Sequence, residues 1–286
     1  MSEQRRARPS PRAAAAASLL LGCSVGELDL SRKRCPCLDG WRCDDVTDTC
    51  LPATGDGSSR YAAEVLADEP LGYWRLGEPE GETIARAARG ELDGECVGGF
   101  TFGVRGALAG DPDTAIDLRA SAAAYIDVGN QFGFDQYVPY RVEAWVMPNV
   151  LDEEYRHVAC KTRASVPGYE DGYELHAVEG AVAWQRLTQG TFSTGSSYAP
   201  ALDIDAWSHV VGVFDGLVAQ LYVNGAPQGA GPEATFPLVQ TSAPFWWGAC
   251  PDVGSFWDGR LDEVAIYGVA LEPKRIEAHY LAGRGE

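Results

Sequence analysis

The middle of this chain alternates between apolar and polar residues with a period of two, and turn dipeptides interrupt the alternation. Residues Arg141–Val146 show the period clearly, as a half-buried β-strand should. Asp215-Gly216 separates two further runs, Trp207–Phe214 and Val218–Val223. Asn224-Gly225 ends the second run, and such dipeptides favour two-residue hairpins because they accept positive φ angles. The pattern therefore predicts antiparallel strands joined by tight turns.

Similar runs recur along most of the chain. Further strands are predicted at Ala124–Val128, Tyr155–Lys161, Gly172–Val178, Ala181–Leu187 and Arg260–Tyr267. A helical pattern is confined to Pro273–Leu281, with proline near the start, where a helix tolerates it. Many short strands without long helices between them favour an all-β fold, a two-sheet antiparallel β-sandwich or jelly roll.

The net charge of the chain limits the classes of partner that it can bind. The 286 residues carry a formal net charge of −18 at pH 7. Phosphate backbones are bound by Lys and Arg, so we expect no nucleic acid partner. Anionic membrane surfaces are repelled for the same reason. We therefore expect contact with a membrane only through a lipid anchor.

The N-terminus resembles a bacterial lipoprotein signal peptide. Four arginines precede the short apolar stretch Ala13–Leu21, which is too short to span a bilayer. The stretch ends in Leu20-Leu21-Gly22-Cys23, which resembles the lipobox, and the resemblance implies that residues 1–22 are removed and Cys23 is acylated. An ordinary signal peptide with an unmodified cysteine is the alternative. Ser24 resembles an outer-membrane sorting signal, which implies export to the surface of a Gram-negative bacterium.

Cysteine spacing divides the region that follows. Residues 23–34 form a polar tether, and four cysteines within residues 35–50 predict a minidomain with two disulfides, namely Cys35, Cys37, Cys43 and Cys50. A four-thiolate zinc site is the alternative, although paired C-x2-C spacing is lacking.

Residues 51–60 form a linker, and the β-sandwich domain is predicted at residues 61–286. There, Cys160 and Cys250 lie in or beside strands and could form a disulfide, which leaves Cys96 as an odd thiol, buried or paired with another chain.

Five sequence blocks follow one another along the chain, namely Pro70–Glu78 (PLGYWRLGE), Val142–Pro148 (VEAWVMP), Trp207–Gly216 (WSHVVGVFDG), Leu221–Gly225 (LYVNG) and Phe256–Tyr267 (FWDGRLDEVAIY). In this order they resemble laminin-G-like domains of the concanavalin A-like lectin/glucanase superfamily. The resemblance implies a jelly-roll sandwich from about residue 61 to the C-terminus.

The resemblance also implies a Ca²⁺ site. The segment around Asp111 and Asp113 is similar to an acidic turn of the family, and Asp262 is similar to an aspartate of its last strand. Carboxylate oxygens are the hard ligands that Ca²⁺ prefers. The alternative is that the first two aspartates shape a turn and Asp262 caps a neighbouring loop.

A second motif raises the possibility of hydrolysis. Glu91, Asp93 and Glu95 have the E-x-D-x-E spacing that places three carboxylates on one strand face in the glucanases of the superfamily. Surrounding glycines, and the absence of a β-branched run, argue against a central strand here.

Aromatic residues suggest a ligand surface. Trp246 and Trp247 are adjacent, so in a strand they face opposite ways and one of them lies outside the core. With Trp257, we take them as candidate ligand-binding residues.

We predict a non-catalytic surface module that binds a glycan or an extracellular protein, with Ca²⁺ as its only expected cofactor. The alternatives are a divergent glycoside hydrolase and a structural envelope protein without a ligand; the oligomeric state is left open.

Overall fold

A computed structural model describes residues 41–44, 49–52, 59–166, 169–188, 191–251 and 253–286; for residues 41–44, 49–52, 164–166, 169 and 191–201 it describes the backbone alone. The chain divides into two compact units, Met1–Pro52 and Ala53–Glu286. In the first unit, β1 (Trp41–Asp44) and β2 (Thr49–Pro52) pair antiparallel, with Cys43 opposite Cys50 in the register. The predicted acylation of Cys23 and the positions Cys35 and Cys37 lie outside the described residues.

The second unit begins with a helix and ends with one. The helix α1 (Arg60–Ala67) opens it and α2 (Pro273–Arg284) closes it. Between them lie the strands β3 (Gly72–Trp74), β4 (Ile84–Ala85), β5 (Ala87–Arg89), β6 (Gly94–Val97), β7 (Phe100–Arg105), β8 (Thr114–Leu118), β9 (Tyr125–Asp127), β10 (Tyr140–Pro148), β11 (Arg156–Val166), β12 (Tyr169–Val178), β13 (Ala181–Thr188), β14 (Thr191–Ala201), β15 (Ser208–Phe214), β16 (Val218–Val223), β17 (Ala226–Glu233), β18 (Trp246–Trp247), β19 (Ala249–Cys250), β20 (Ser255–Phe256) and β21 (Gly259–Tyr267). A 3₁₀ turn covers Ala120–Ala122.

Two antiparallel sheets form the sandwich that the sequence predicts. The first sheet has the order β17-β16-β15-β10-β21-β3-β5, and β8 pairs with both β21 and β7. The second sheet has the order β14-β13-β12-β11-β18-β9-β6-β4. The strands β19 and β20 pair separately. The two-sheet antiparallel all-β fold is therefore confirmed.

The core lies between the sheets because each central strand turns alternate residues inward. On β10, Val142, Ala144 and Val146 enter the core, and Trp184 of β13 meets them from the second sheet. The Trp184 indole packs on the backbone of Gly212, where a Cβ atom would lie 2.4 Å from the ring. Its Nε1 donates to the carbonyl of Val213 at 3.1 Å, so the buried indole is also satisfied.

The sequence patterns did not predict the N-terminal helix. Ser59 caps α1 by accepting the backbone N–H of Ala62 on its Oγ, and Tyr61 and Val65 are buried on its inner side. These residues pack with Trp145 and other side chains of the first sheet that point away from the main core. A helix pair thus covers this outer side of the first sheet, whereas the predicted helix at Pro273–Leu281 is confirmed as α2.

Among the residues that the structure describes, no helix is both long enough and apolar enough to span a membrane.

Candidate ligand-binding face

The second sheet has an outer face, by which we mean the side chains that point away from the core. On β9, Ile126 enters the core, so Tyr125 and Asp127 lie on the outer face. On β18, Trp247 enters the core and Trp246 lies on the outer face. The sequence argument that the two tryptophans must face opposite ways agrees with this placement.

An aromatic patch lies on this outer face. Tyr125 and Trp246 stack with ring centroids 4.0 Å apart and an interplanar angle of 28°, and Phe256 lies 6.4 Å from Tyr125. All three side chains are partly exposed. We call these three residues the aromatic patch.

Two carboxylates flank the aromatic patch. Asp127 is opposite Trp246 across β9 and β18, and Glu95 is opposite Asp127 across β6 and β9. Burial raises the pKa of the Tyr125 hydroxyl, and the charges of Asp127 and Glu95 raise it further. The face therefore combines aromatic surface with hydrogen-bond acceptors.

Trp247 and Trp257 do not take part in this surface. Both are 0% exposed, and both belong to the core between the sheets. Trp247 faces inward because strand residues alternate, and the Trp257 indole lies against the backbone of Gly259. These placements correct the prediction that they contact a ligand, and of the three tryptophans Trp246 alone remains available.

The three residues with glucanase spacing do not share a strand face. Glu91 lies in a bend and Asp93 in the loop before β6, and Glu95 alone is on a strand. All three are exposed, and the carboxylate of Asp93 accepts the backbone N–H of Ala87 at 2.9 Å. This arrangement lacks the aligned carboxylates that a retaining glucanase strand supplies.

The predicted Ca²⁺ ligands do come together, but they surround an arginine. Asp111 Oδ2, Asp113 Oδ2 and Glu263 Oε1 lie 2.9, 3.0 and 2.7 Å from guanidinium nitrogens of Arg75. Asp262 lies beside them, and its Oδ2 accepts the backbone N–H of Ala107 at 2.7 Å. We call these four acidic residues and Arg75 the Arg75 cluster.

A β-bulge in β21 brings two consecutive acidic residues into the Arg75 cluster. The register between β10 and β21 shifts between Glu143 and Trp145, and Glu263 has a φ of 51°, a left-handed conformation that is strained for a non-glycine residue. Burial raises the pKa of Glu263 to about 7 against the opposing effect of Arg75. Burial and the Glu263 charge together hold the pKa of Asp262 well above its usual range.

The oxygens of the Arg75 cluster are almost all satisfied without a metal. Beyond the arginine contacts, Asp111 Oδ1 and Asp113 Oδ1 accept the N–H groups of Asp113 and Thr114 at 2.9 and 3.0 Å, and the Tyr73 hydroxyl donates to Glu263 Oε2. Asp262 Oδ1 alone among the carboxylate oxygens has no partner in the described part of the chain. Ca²⁺ takes about six to eight oxygen ligands, so it does not fit this arrangement unless Arg75 moves out. The calcium site stays a prediction.

A cluster of buried polar side chains around His157, on the outer side of the second sheet, was not predicted from the sequence. Nδ1 of His157 lies 2.9 Å from Ser255 Oγ, and its Nε2 lies 3.1 Å from Glu174 Oε2. Beside them, the sequence-predicted disulfide Cys160–Cys250 is confirmed, with its Cα atoms 5.0 Å apart. Cys96 is a free, buried thiol in the main core.

Comparison with known proteins places the chain in a family. A laminin-G sequence model described as the concanavalin A-like lectin/glucanases superfamily matches residues 120–277, more than half of the chain. The chain therefore belongs to this laminin-G family. The first block of the sequence resemblance, Pro70–Glu78, lies outside the matched range, but its strand β3 pairs with β21 in the first sheet. A search of curated protein sequences finds no match.

Solved structures share the fold at low sequence identity. The binding domain of Paraclostridial Mosquitocidal Protein 1 is 13% identical, with a TM-score of 0.54, over 72% of this chain and 51% of that one. The binding domain of botulinum neurotoxin serotype D is 12% identical (TM-score 0.52; 78% of this chain, 52% of that one). Trypanosoma rangeli sialidase is 14% identical (TM-score 0.51; 88% and 36%). The chain spans about half of each toxin domain and about a third of the sialidase.

Proposed function

We propose that this chain is an exported, lipid-anchored surface protein whose laminin-G domain is a non-catalytic module that binds glycans through the outer face of its second sheet. The observation that carries the proposal is the partly exposed stack of Tyr125 on Trp246 beside the carboxylates of Asp127 and Glu95. Two of the structures that share the fold are themselves described as binding domains, which supports a binding role.

The chemistry of the aromatic patch suits a sugar. Aromatic rings offer a flat apolar surface for the C–H face of a pyranose, and carboxylates accept hydrogen bonds from its hydroxyl groups. The net charge of −18 repels sulfated and sialylated glycans. We therefore expect a neutral glycan as the ligand. A protein ligand is the outcome to consider if no glycan binds.

A glycan array tests the binding proposal. We expect the wild type to bind neutral glycans, and Trp246→Ala to lower the affinity about fivefold, since one stacking contact is worth on the order of 1 kcal/mol. Phe236→Ala, which removes an aromatic side chain that is 48% exposed outside the patch, is the matched control and should bind like the wild type. Absence of binding to every glycan, or equal losses in both variants, contradicts the proposal.

The proposal that the module does not cleave its ligand is tested separately. Glycans that bind on the array are incubated with the protein, and the products are analysed by mass spectrometry. We expect intact glycan after prolonged incubation, because Glu91, Asp93 and Glu95 lack a shared strand face. Cleavage that Glu95→Gln abolishes would establish the hydrolase alternative instead.

The anchor is tested by labelling. Cells that express the full chain are grown with radioactive palmitate, and the wild type is compared with Cys23→Ala. We expect label in the wild type alone, because the lipobox cysteine is the acyl acceptor. Equal labelling of both proteins, or no label in either, contradicts acylation at Cys23.

A further inference from the structure

Four buried side chains of the types that bind metals meet on the outer side of the second sheet. His157 and Cys160 come from β11, Glu174 from β12 and Cys250 from β19. All four residues are buried, and one ligand atom from each lies within 4.8 Å of the others. We call them the His157 cluster.

Neighbouring hydroxyl groups orient the His157 cluster. The Ser255 hydroxyl donates to the carbonyl of Tyr155, so its oxygen accepts from Nδ1 of His157 at 2.9 Å. Thr162 Oγ1 lies 3.3 Å from the sulfur of Cys160 and 3.1 Å from that of Cys250. Partners of this kind fix the orientation of metal-ligating side chains.

The hydrogen bond at Nδ1 has a consequence for the other ring nitrogen. A neutral His157 that donates through Nδ1 has a lone pair on Nε2, and this lone pair faces Glu174 Oε2 at 3.1 Å. A carboxylate oxygen and an imidazole lone pair that face each other at this distance need a proton or a metal cation between them.

The disulfide decides which of the two can be present. While Cys160 and Cys250 are bonded, neither sulfur is a thiolate, and a proton on Nε2 completes the pair. A dithiol reductant breaks the S–S bond and is itself oxidised to a disulfide, and each cysteine sulfur takes up one proton. Zn²⁺ then displaces both thiol protons and the proton on Nε2 of His157, and all three protons pass to the solvent. The ligand set becomes two thiolates, one neutral imidazole and one carboxylate, all of which suit tetrahedral Zn²⁺.

We propose that reduction of the Cys160–Cys250 disulfide converts the His157 cluster into a zinc site with Cys160, Cys250, His157 Nε2 and Glu174 as ligands. The metal and the disulfide are alternative cross-links at one place: the disulfide joins β11 to β19, and the metal joins both to β12 as well. The zinc form is therefore specific to reducing conditions.

Cobalt titration of the reduced full chain tests the site. The protein is reduced with a phosphine without oxygen, and Co²⁺ is added while thiolate-to-cobalt charge-transfer and visible d–d absorption are recorded. We expect the absorption of a tetrahedral site, reversal by one equivalent of Zn²⁺, and no such spectrum from the oxidised protein. Because residues 35–50 contain four further cysteines, the titration is repeated with Cys35, Cys37, Cys43 and Cys50 replaced by serine, and the spectrum should persist.

Variants assign the ligands. His157→Ala and Glu174→Gln leave every cysteine in place, and each should weaken cobalt binding at least about tenfold. Cys96→Ala removes a buried thiol outside the cluster and is the matched control, with unchanged binding. A spectrum lost with the four N-terminal cysteines, or insensitive to both ligand variants, overturns the proposal.

A second measurement covers variants that fold poorly. Zn²⁺ should raise the melting temperature of the reduced wild type, or fold it if reduction unfolds it, as followed by circular dichroism. The double variant Cys160→Ser with Cys250→Ser should show no zinc-dependent change in this measurement. An equal zinc effect on both proteins, or none on the wild type, overturns the proposal.

Discussion

Oε1 of Glu143 on β10 lies 2.8 Å from Nδ1 of His279 in the C-terminal helix. The same oxygen lies 2.8 Å from Nε2 of His209 and accepts the Tyr61 hydroxyl of α1 at 2.9 Å. Arg141 lies 3.1 Å from the other oxygen, Oε2. One carboxylate that is 1% exposed thus connects the first sheet to both terminal helices.

Replacement of Glu143 should strongly destabilise the domain. Glu143→Ala leaves Arg141 buried and without its carboxylate, and the two histidines lose an acceptor. Removal of one partner from a buried ion pair costs about 3–5 kcal/mol. We expect a decrease of that size in the free energy of unfolding, measured by urea denaturation. Glu91→Ala, at an exposed bend, is the control and should stay within about 0.5 kcal/mol of the wild type. A loss below about 1 kcal/mol for Glu143→Ala would show that the network stabilises little.

Glu143 should also make the stability of the domain depend on pH. Burial alone would raise the pKa of Glu143, but His279 and Arg141 outweigh it and hold the pKa well below 4.5. A carboxyl group with a lowered folded-state pKa contributes stability that is present above its unfolded pKa and lost as the pH falls below it. The free energy of unfolding should therefore fall from about pH 4.5 downward. The fall should be smaller in Glu143→Gln than in the wild type, and equal slopes in the two proteins would contradict the assignment.

The turns and central strands were predictable from the sequence because their constraints are local. The Asn224-Gly225 turn joins β16 to β17, and its residues have φ angles of 51° and 75°, the positive values that the dipeptide predicts. The alternating run Arg141–Val146 lies within β10. The helix α1 also left a local signal, the Ser59 cap before Tyr61 and Val65, but the run is only eight residues long.

The functional clusters were not predictable because β-bulges break the alternation from which side-chain direction is inferred. His157 and Cys160 are three residues apart and would face opposite ways in a regular strand, but a register shift between His157 and Ala159 brings both to the outer face. The bulge at Glu263 likewise brings its side chain to the same side of β21 as that of Asp262. The position of Arg75 among the predicted calcium ligands depends on pairing between distant strands, which no local pattern encodes.

The Arg75 cluster predicts how the domain responds to Ca²⁺. With Arg75 present, we expect Ca²⁺ to leave the melting temperature unchanged at constant ionic strength, because the guanidinium already contacts three of the four carboxylates that would bind the ion. Arg75→Ala should lower the melting temperature by several degrees and make it rise again with Ca²⁺, since Asp111, Asp113 and Glu263 then lose their cationic partner. Arg75→Lys, which keeps the charge, should respond weakly. A clear rise of the wild-type melting temperature with Ca²⁺ would show that the ion displaces Arg75.

The Cys96 thiol should be almost inert in the folded protein. It is 7% exposed in the main core, and burial raises its pKa to about 12. At pH 8 its thiolate fraction is then on the order of one in ten thousand, against roughly one in four for an ordinary thiol. We expect iodoacetamide to modify Cys96 at least about a hundredfold more slowly than the introduced thiol of Thr101→Cys, an exposed position on β7, with peptide mass spectrometry as the measurement. Urea should remove the difference. Rapid modification of Cys96 in the native protein would show that the thiol is accessible and would reopen pairing with a second chain, which its burial in the core opposes.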